Sequence, residues 1–204
     1  MSYSSELTRQ RIIDCAKQEF LEQGFQKANI RNIAFKAKAT TGALYTHFNN
    51  KEELFDILVK EAADTLLNTF KEMHQPKKMD QMNGIPLGNA KDGKASSNDN
   101  TDWVLDYIYD HFFEFKLIFC CSEGTPYERY LESLTEIEEA DYHRMFKSLS
   151  NKDVDDFFIH VMCSDGIRGL YEVVAHDIPK EQAMIFMGKV KKFRFAGWSE
   201  ILGQ

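Results

Sequence analysis

The sequence predicts an all-α protein in which a small N-terminal head, built around a helix-turn-helix, is carried on a larger helical body. Three observations predict it. Apolar residues recur at i, i+3, i+4 and i+7 along most of the chain, the period of a helix with one buried face. Helix start and stop signals punctuate that pattern. Alternating β-branched runs are scarce, and with 43% hydrophobic residues in 204 the chain has material for a sizeable core.

Taken in order, helix 1 is expected over Ser5 to Gln23. Its apolar stripe is Leu7, Ile12, Ile13, Ala16, Phe20 and Leu21; Gly24 stops it and Phe25 plugs the corner. A second, short helix comes next, apolar at Ile30, Ile33, Ala34 and Ala37 and capped by Asn29. After a break at Lys38-Ala39, Thr40 starts a third helix in which Leu44 and Phe48 face inward. That spacing leaves Thr41, Gly42, Tyr45 and His47 on the outer surfaces. Two short helices joined in this way form a helix-turn-helix, whose second helix can enter a DNA major groove. Asn50 with Glu53 three residues later is a variant capping box. It opens a long fourth helix through Leu54, Phe55, Leu58, Ala62, Leu66 and Phe70, which ends near Pro76.

Residues 76–100 are rich in Gly, Pro, Ser, Asn and Asp and are expected to be a flexible loop. Helix 5 should run unbroken from about Thr101 to Cys121 as an aromatic, central element. Thr125 as N-cap, Pro126 at N1 and Glu128 at N3 predict helix 6, reaching Ser148. Helix 7 is expected over Asp153 to Ala175, with Phe157, Phe158, Val161, Met162, Ile167, Leu170 and Val174 inward. Helix 8 is expected from Pro179 to Leu202. The expected division is a helix-turn-helix domain over 1–50, with its motif at 29–48, and a helical ligand-binding and dimerisation domain over 51–204.

The net charge of −7 is unevenly spread. Residues 1–51 hold eight Lys/Arg and four Asp/Glu, a balance of +4, which leaves −11 on the remainder. A basic head on an acidic body suits a polyanion-binding protein. The N-terminus has no apolar segment of the secretory kind, and no window approaches the roughly 18 apolar residues of a membrane span. The four cysteines, Cys15, Cys120, Cys121 and Cys163, have no zinc-binding spacing and read as reduced thiols of a cytoplasmic protein.

Ile33-Ala34, Ala37, Thr40, Gly42, Leu44-Tyr45, His47-Phe48 and Lys51-Glu52-Glu53-Leu54 resemble the signature of the TetR/AcrR family of bacterial transcriptional regulators over about residues 8–58. The resemblance implies a homodimer whose heads read a palindromic double-stranded DNA operator. It also implies a body that binds a small-molecule effector and releases the DNA. Two positions depart from the pattern: Lys38 stands where the family usually has Gly in the turn, and Ala28 stands near where Ser or Thr often begins helix 2.

Residue by residue, the resemblance places Thr40, Thr41 and Gly42 at the start of the recognition helix, with Thr41 and Gly42 facing base edges. Ala43 and Thr46 offer methyls to thymine, Tyr45 and His47 look like phosphate contacts, and Lys51 offers a further cation. Arg31 can reach a guanine or a phosphate. Phosphate contacts give affinity without direct sequence information.

In the body, Trp103, Tyr107, Phe112, Phe115, Phe119, Tyr127 and Tyr130 can line a pocket for an apolar or aromatic effector or simply pack as core. The acidic surroundings would suit a lipophilic cation. His111 and Glu114 have a metal-compatible i, i+3 spacing, but no second such pair accompanies them and no metal or cofactor is expected. The expected dimer surface is the last two helices, around Gly166, Gly169, Met184, Met187, Gly188 and Lys191, with Gly197 as a further small residue. Two other functional classes remain: a helical protein-interaction adaptor, or a small enzyme using the aromatic body. The latter lacks a nucleophile–base pair and a Gly-rich phosphate loop, so no enzyme is expected.

Overall fold

The computed structural model describes residues 3–75, 100–148 and 154–202, and every regular element among them is a helix. In order these are α1 (Tyr3–Lys27), α2 (Ile30–Lys36), α3 (Thr41–His47), α4 (Lys51–Met73), α5 (Asn100–Asp110), α6 (Phe112–Cys120), α7 (Tyr130–Ser148), α8 (Asp156–Ala175) and α9 (Lys180–Leu202). Most of the expected loop, 76–99, lies outside the described residues.

The chain divides into two compact units. One comprises residues 1–65 together with 111–130, the other residues 66–110 together with 131–204. The first unit is therefore larger than the helix-turn-helix alone, because α6 and the turns after it pack with α1. The Phe25 amide donates to the Cys121 carbonyl at 2.8 Å, and Lys17 on α1 pairs with Glu114 on α6 at 3.1 Å. Phe20, Phe25 and Phe55 form the aromatic centre of this unit, with ring centroids 5.2–5.9 Å apart. Ile12, Ala16, Ile33, Leu44 and Phe48 are buried with them.

Helix 1 breaks where the sequence signals it: Gly24 has φ 72°, ψ 163° and interrupts the helical path before Phe25. Helix 5 differs from expectation. His111 has φ −118°, ψ 39° and separates α5 from α6. The two halves have different partners: Tyr109 donates to the Ile178 carbonyl and Asp106 pairs with Lys180 at 2.9 Å, whereas α6 belongs to the other unit. Helix 6 is also shorter. Thr125 and Glu128 make local bonds as expected, but they close turns instead of starting a helix. The Thr125 hydroxyl accepts from the Tyr127 amide at 3.1 Å, Glu128 accepts from the Gly124 amide at 3.0 Å, and i→i+3 bonds end at Tyr130, where α7 begins.

In the second unit Tyr142, Phe146 and Trp198 stack at 4.7–6.1 Å over Ile159 and Cys163. Asp155 caps α8 through the Phe158 amide at 3.0 Å. The inward assignment of Phe157, Phe158 and Val161 is corrected: all three are exposed, Phe157 by 72%. On this stretch of α8 the inward positions are Ile159 and Cys163; Phe157 and Val161 face out, while the part-exposed Phe158 ring meets Trp198 edge-on at 5.6 Å and Met162 packs against the same core.

One charge is buried in the first unit. Glu19 on α1 is 2% exposed and accepts from the Asn29 amide (3.3 Å), Asn32 Nδ2 (3.4 Å) and Lys36 Nζ (2.9 Å). Burial pushes its carboxyl up, but these bonds outweigh burial and hold it below its ordinary value. A depressed carboxyl stabilises the fold above its unfolded pKa, near 4.3, and loses that contribution as pH falls through the folded value. Glu19→Gln is therefore expected to lower stability by about 2 kcal/mol at pH 7. Denaturant unfolding across pH should show variant and parent converging below about pH 4.

Candidate nucleic-acid interface

The interface is built from two helices of seven residues each, too short to persist in isolation. Caps and tertiary bonds hold them. The Asn29 side chain accepts from the Arg31 amide at 2.8 Å and starts α2. The Thr40 hydroxyl accepts from the Ala43 amide at 3.0 Å and starts α3. The turn between them contains Lys38 at φ 53°, the left-handed region, so a lysine does adopt the conformation for which glycine is the usual residue. Asn50 accepts from the Glu53 amide at 2.7 Å. Glu53 reaches back to the Asn49 amide at 2.7 Å, one residue earlier than a standard capping box.

Leu44 and Phe48 are fully buried. The remaining face of α3 therefore points outward, with Gly42, Tyr45 and Thr46 exposed and Thr41, Ala43 and His47 half-buried. Gly42 brings bare backbone to that surface; a Cβ there would meet nothing nearer than the Thr40 hydroxyl at 3.9 Å. The Thr46 hydroxyl donates back to the Ala43 carbonyl at 2.6 Å, which ties down its polar end. Arg31 is exposed on α2. Thr40 already uses its hydroxyl oxygen as the α3 cap.

Lys51 is placed differently from the other candidates. Its ammonium lies on the carbonyls of Phe25 (2.8 Å), Gln26 (3.2 Å) and Ala28 (3.4 Å). The residues that fix α2 against α1, Glu19, Asn32 and Lys36, are absent from the sequence-based set. Glu19 had a detectable signal: it is an acid on the apolar face of helix 1, between Ala16 and Phe20.

The aromatic set of the body falls into two groups. Trp103 and Tyr107 stack at 5.0 Å in the second unit. Phe115, Phe119 and Tyr130 cluster in the first at 5.5–6.4 Å, with Tyr130 donating to the Ala63 carbonyl at 2.7 Å. Phe112 contacts Phe113, and Tyr127 donates to Asp56. The second unit also has two adjoining open clefts along α4 and α7, of about 230 and 320 Å³, lined by Leu67, Lys71, His74, Ile137, Ala140 and Arg144 among others. None of the aromatic set lines them. Glu114 is engaged by Lys17. Burial pushes the Cys121 thiol up to about 11, the opposite of a reactive thiolate.

Of the expected dimer residues, Gly166 and Gly169 are buried against α9 of the same chain, next to Arg194 and Met187. Met187 is buried, Met184 and Lys191 are half-buried, and Gly188 faces open space. The large exposed apolar residues of these helices are Phe157, Phe158 and Val161 on α8, and Ile185, Phe186, Phe193 and Ile201 on α9.

Residues 12–58 match the model of the bacterial regulatory proteins of the tetR family. The chain is 47% identical over 55 residues to the HTH-type transcriptional regulator SrpR of Pseudomonas putida, covering 27% of this chain and 26% of that protein. It is 43% identical over 49 residues to a probable acrEF/envCD operon repressor of Escherichia coli, covering 24% and 22%. The chain thus spans about a quarter of the length of these relatives. Its fold is similar to the crystal structure of NalD, the secondary repressor of the MexAB-OprM multidrug efflux pump in Pseudomonas aeruginosa. The TM-score is 0.54 at 18% identity, over 93% of this chain and 98% of that one.

Replacing Lys38 by glycine removes the left-handed strain of the turn. Lys38→Gly is expected to raise stability by up to about 1 kcal/mol, read as a shift of the denaturant midpoint with unchanged slope.

Proposed function

The chain belongs to the TetR family of bacterial regulatory proteins, and on that premise we propose that it is a sequence-specific DNA-binding transcriptional repressor. The observation that carries the proposal is the outer face of α3. Gly42, Tyr45 and Thr46 are exposed there, on a helix capped at Thr40 and anchored by buried Leu44 and Phe48, within the segment that matches the family. The roles come from chemistry. Thr41 and the backbone at Gly42 approach base edges, Ala43 and the Thr46 methyl meet thymine methyls, and Tyr45 and His47 bind phosphates. Arg31 adds a planar cation from α2. No catalytic constellation is assigned, and the protein is read as a regulator acting in the cytoplasm. No helix among the described residues is long and apolar enough to cross a membrane.

We also propose a homodimer on a palindromic operator. A stripe of Phe186, Val190, Phe193, Gly197 and Ile201 recurs along α9 at helical spacing, and Phe193 is 78% exposed. Such a stripe is costly in water and suits a two-fold contact with a second copy. Release of the DNA by an apolar or aromatic effector bound in the body completes the proposal. Its support is the pair of open clefts between α4 and α7.

Footprinting on the DNA flanking the protein's own coding sequence tests the reading. A protected palindrome whose affinity falls steeply with salt is expected; no protection there, and no duplex retained from a random pool, would refute it. Arg31→Ala should weaken operator binding about tenfold or more. Phe193→Asp should shift the sedimentation coefficient from dimer to monomer, and unchanged sedimentation would remove α9 from the interface.

A further inference from the structure

We infer that Lys51 is a positioning residue for DNA recognition, clamping the segment between α1 and α2, and not a phosphate contact. The inference rests on the DNA-binding reading above. An ammonium has three N–H donors and no acceptor. Lys51 lies within hydrogen-bonding distance of three carbonyls, those of Phe25, Gln26 and Ala28, and its nitrogen also stands 4.4 Å from the centroid of the Phe25 ring. Its donors are therefore committed.

Those carbonyls need a cation. Gly24 breaks the helical path of α1, and the carbonyls at a helix C-terminus are the negative end of its dipole, lacking onward amide partners. The same segment is gripped from the other side: the Asn29 amide donates to buried Glu19. The carbonyls of residues 25, 26 and 28 are thus held from α4, and the amide of residue 29 is held from α1. The α2 helix starts at the next residue, with Asn29 as its cap. Both recognition elements lie downstream of this point, so a shift of the segment displaces Arg31 and α3 together. Moving Lys51 to a phosphate would strip these carbonyls of their donor.

The test compares Lys51→Met and Lys51→Arg with the parent, at a temperature where all are folded. The probe is a duplex selected by the parent protein from a random-sequence pool. Expected for Lys51→Met is an affinity loss of about tenfold at every salt concentration, with the slope of log affinity against log salt unchanged. Lys51→Arg should recover part of the loss. In the parent, the Lys51 ammonium hydrogens should exchange slowly by NMR in the free protein and stay slow with duplex bound.

A slope shallower by about 0.9 per head, with affinities converging at high salt, would identify a phosphate contact and overturn the inference. So would parent-like affinity in a folded Met variant, or fast ammonium exchange in the free parent. Should Lys51→Met not fold, Lys51→Arg and the ammonium exchange decide. A parent that selects no duplex defeats the DNA-binding reading and the positioning role with it; slow ammonium exchange in that same sample would still support the clamp.

Discussion

The head depends on two opposite charges that hold one short segment. Residues 25–29 lie between the break at Gly24 and the start of α2, where the helical ladder is interrupted: the Phe25 amide turns to the Cys121 carbonyl, and the Ala28 amide reaches back to Gly24 at 3.1 Å. Glu19 binds the segment's last amide and Lys51 binds its carbonyls. Both are ions in partly or fully dehydrated places. Such ions are tolerable only when their hydrogen-bonding capacity is filled. Glu19 meets that condition with three donors, and Lys51 with three acceptors. Helices of seven residues cannot set their own orientation. The geometry of α2 and α3 is therefore inherited from this bracket and from the Phe20–Phe25–Phe55 cluster beneath it.

This dependence explains which features were legible in the sequence. Every cap in the head was readable, since Asn29–Arg31, Thr40–Ala43 and Asn50–Glu53 are contacts two or three residues apart. The inward pair Leu44 and Phe48 and the stop at Gly24 were readable for the same reason. The place of Lys51 was not, because its carbonyls lie 23 to 26 residues away, and an exposed-looking lysine at a helix start gives no local sign of them. The Thr125–Glu128 signature misled in a different way. Its residues form the local bonds it advertises, but a capping motif specifies only a turn, and whether that turn propagates is decided by the packing of the residues after it. The break at His111 is likewise a tertiary decision. Eleven residues of α5 are fastened to the start of α9 by Tyr109 and Asp106, and α6 is fastened to α1 by Glu114. A uniformly apolar stretch contains no record of that change of partner.

The body poses the same problem at the level of faces. Glycine in a helix marks close approach but does not say which neighbour approaches. At Gly166 the neighbour is Arg194 of the same chain, whose guanidinium lies against the bare Cα and pairs with Glu138 on α7 at 3.0 Å. Burial pushes the Glu138 carboxyl up, and it stays raised even with the arginine beside it. A side chain at residue 166 would collide with this pair, so the glycine serves an ion pair inside one subunit. The outward side of the same two helices carries exposed apolar residues among its charges, from Phe157 on α8 to Phe193 and Ile201 on α9. The α8–α9 pair thus satisfies two demands: small residues and the half-buried arginine that reaches Glu138 of α7 turned inward, large aromatics turned out. Residue size alone would assign these roles the other way round, and it is the register of each helix against its own neighbours that assigns them correctly.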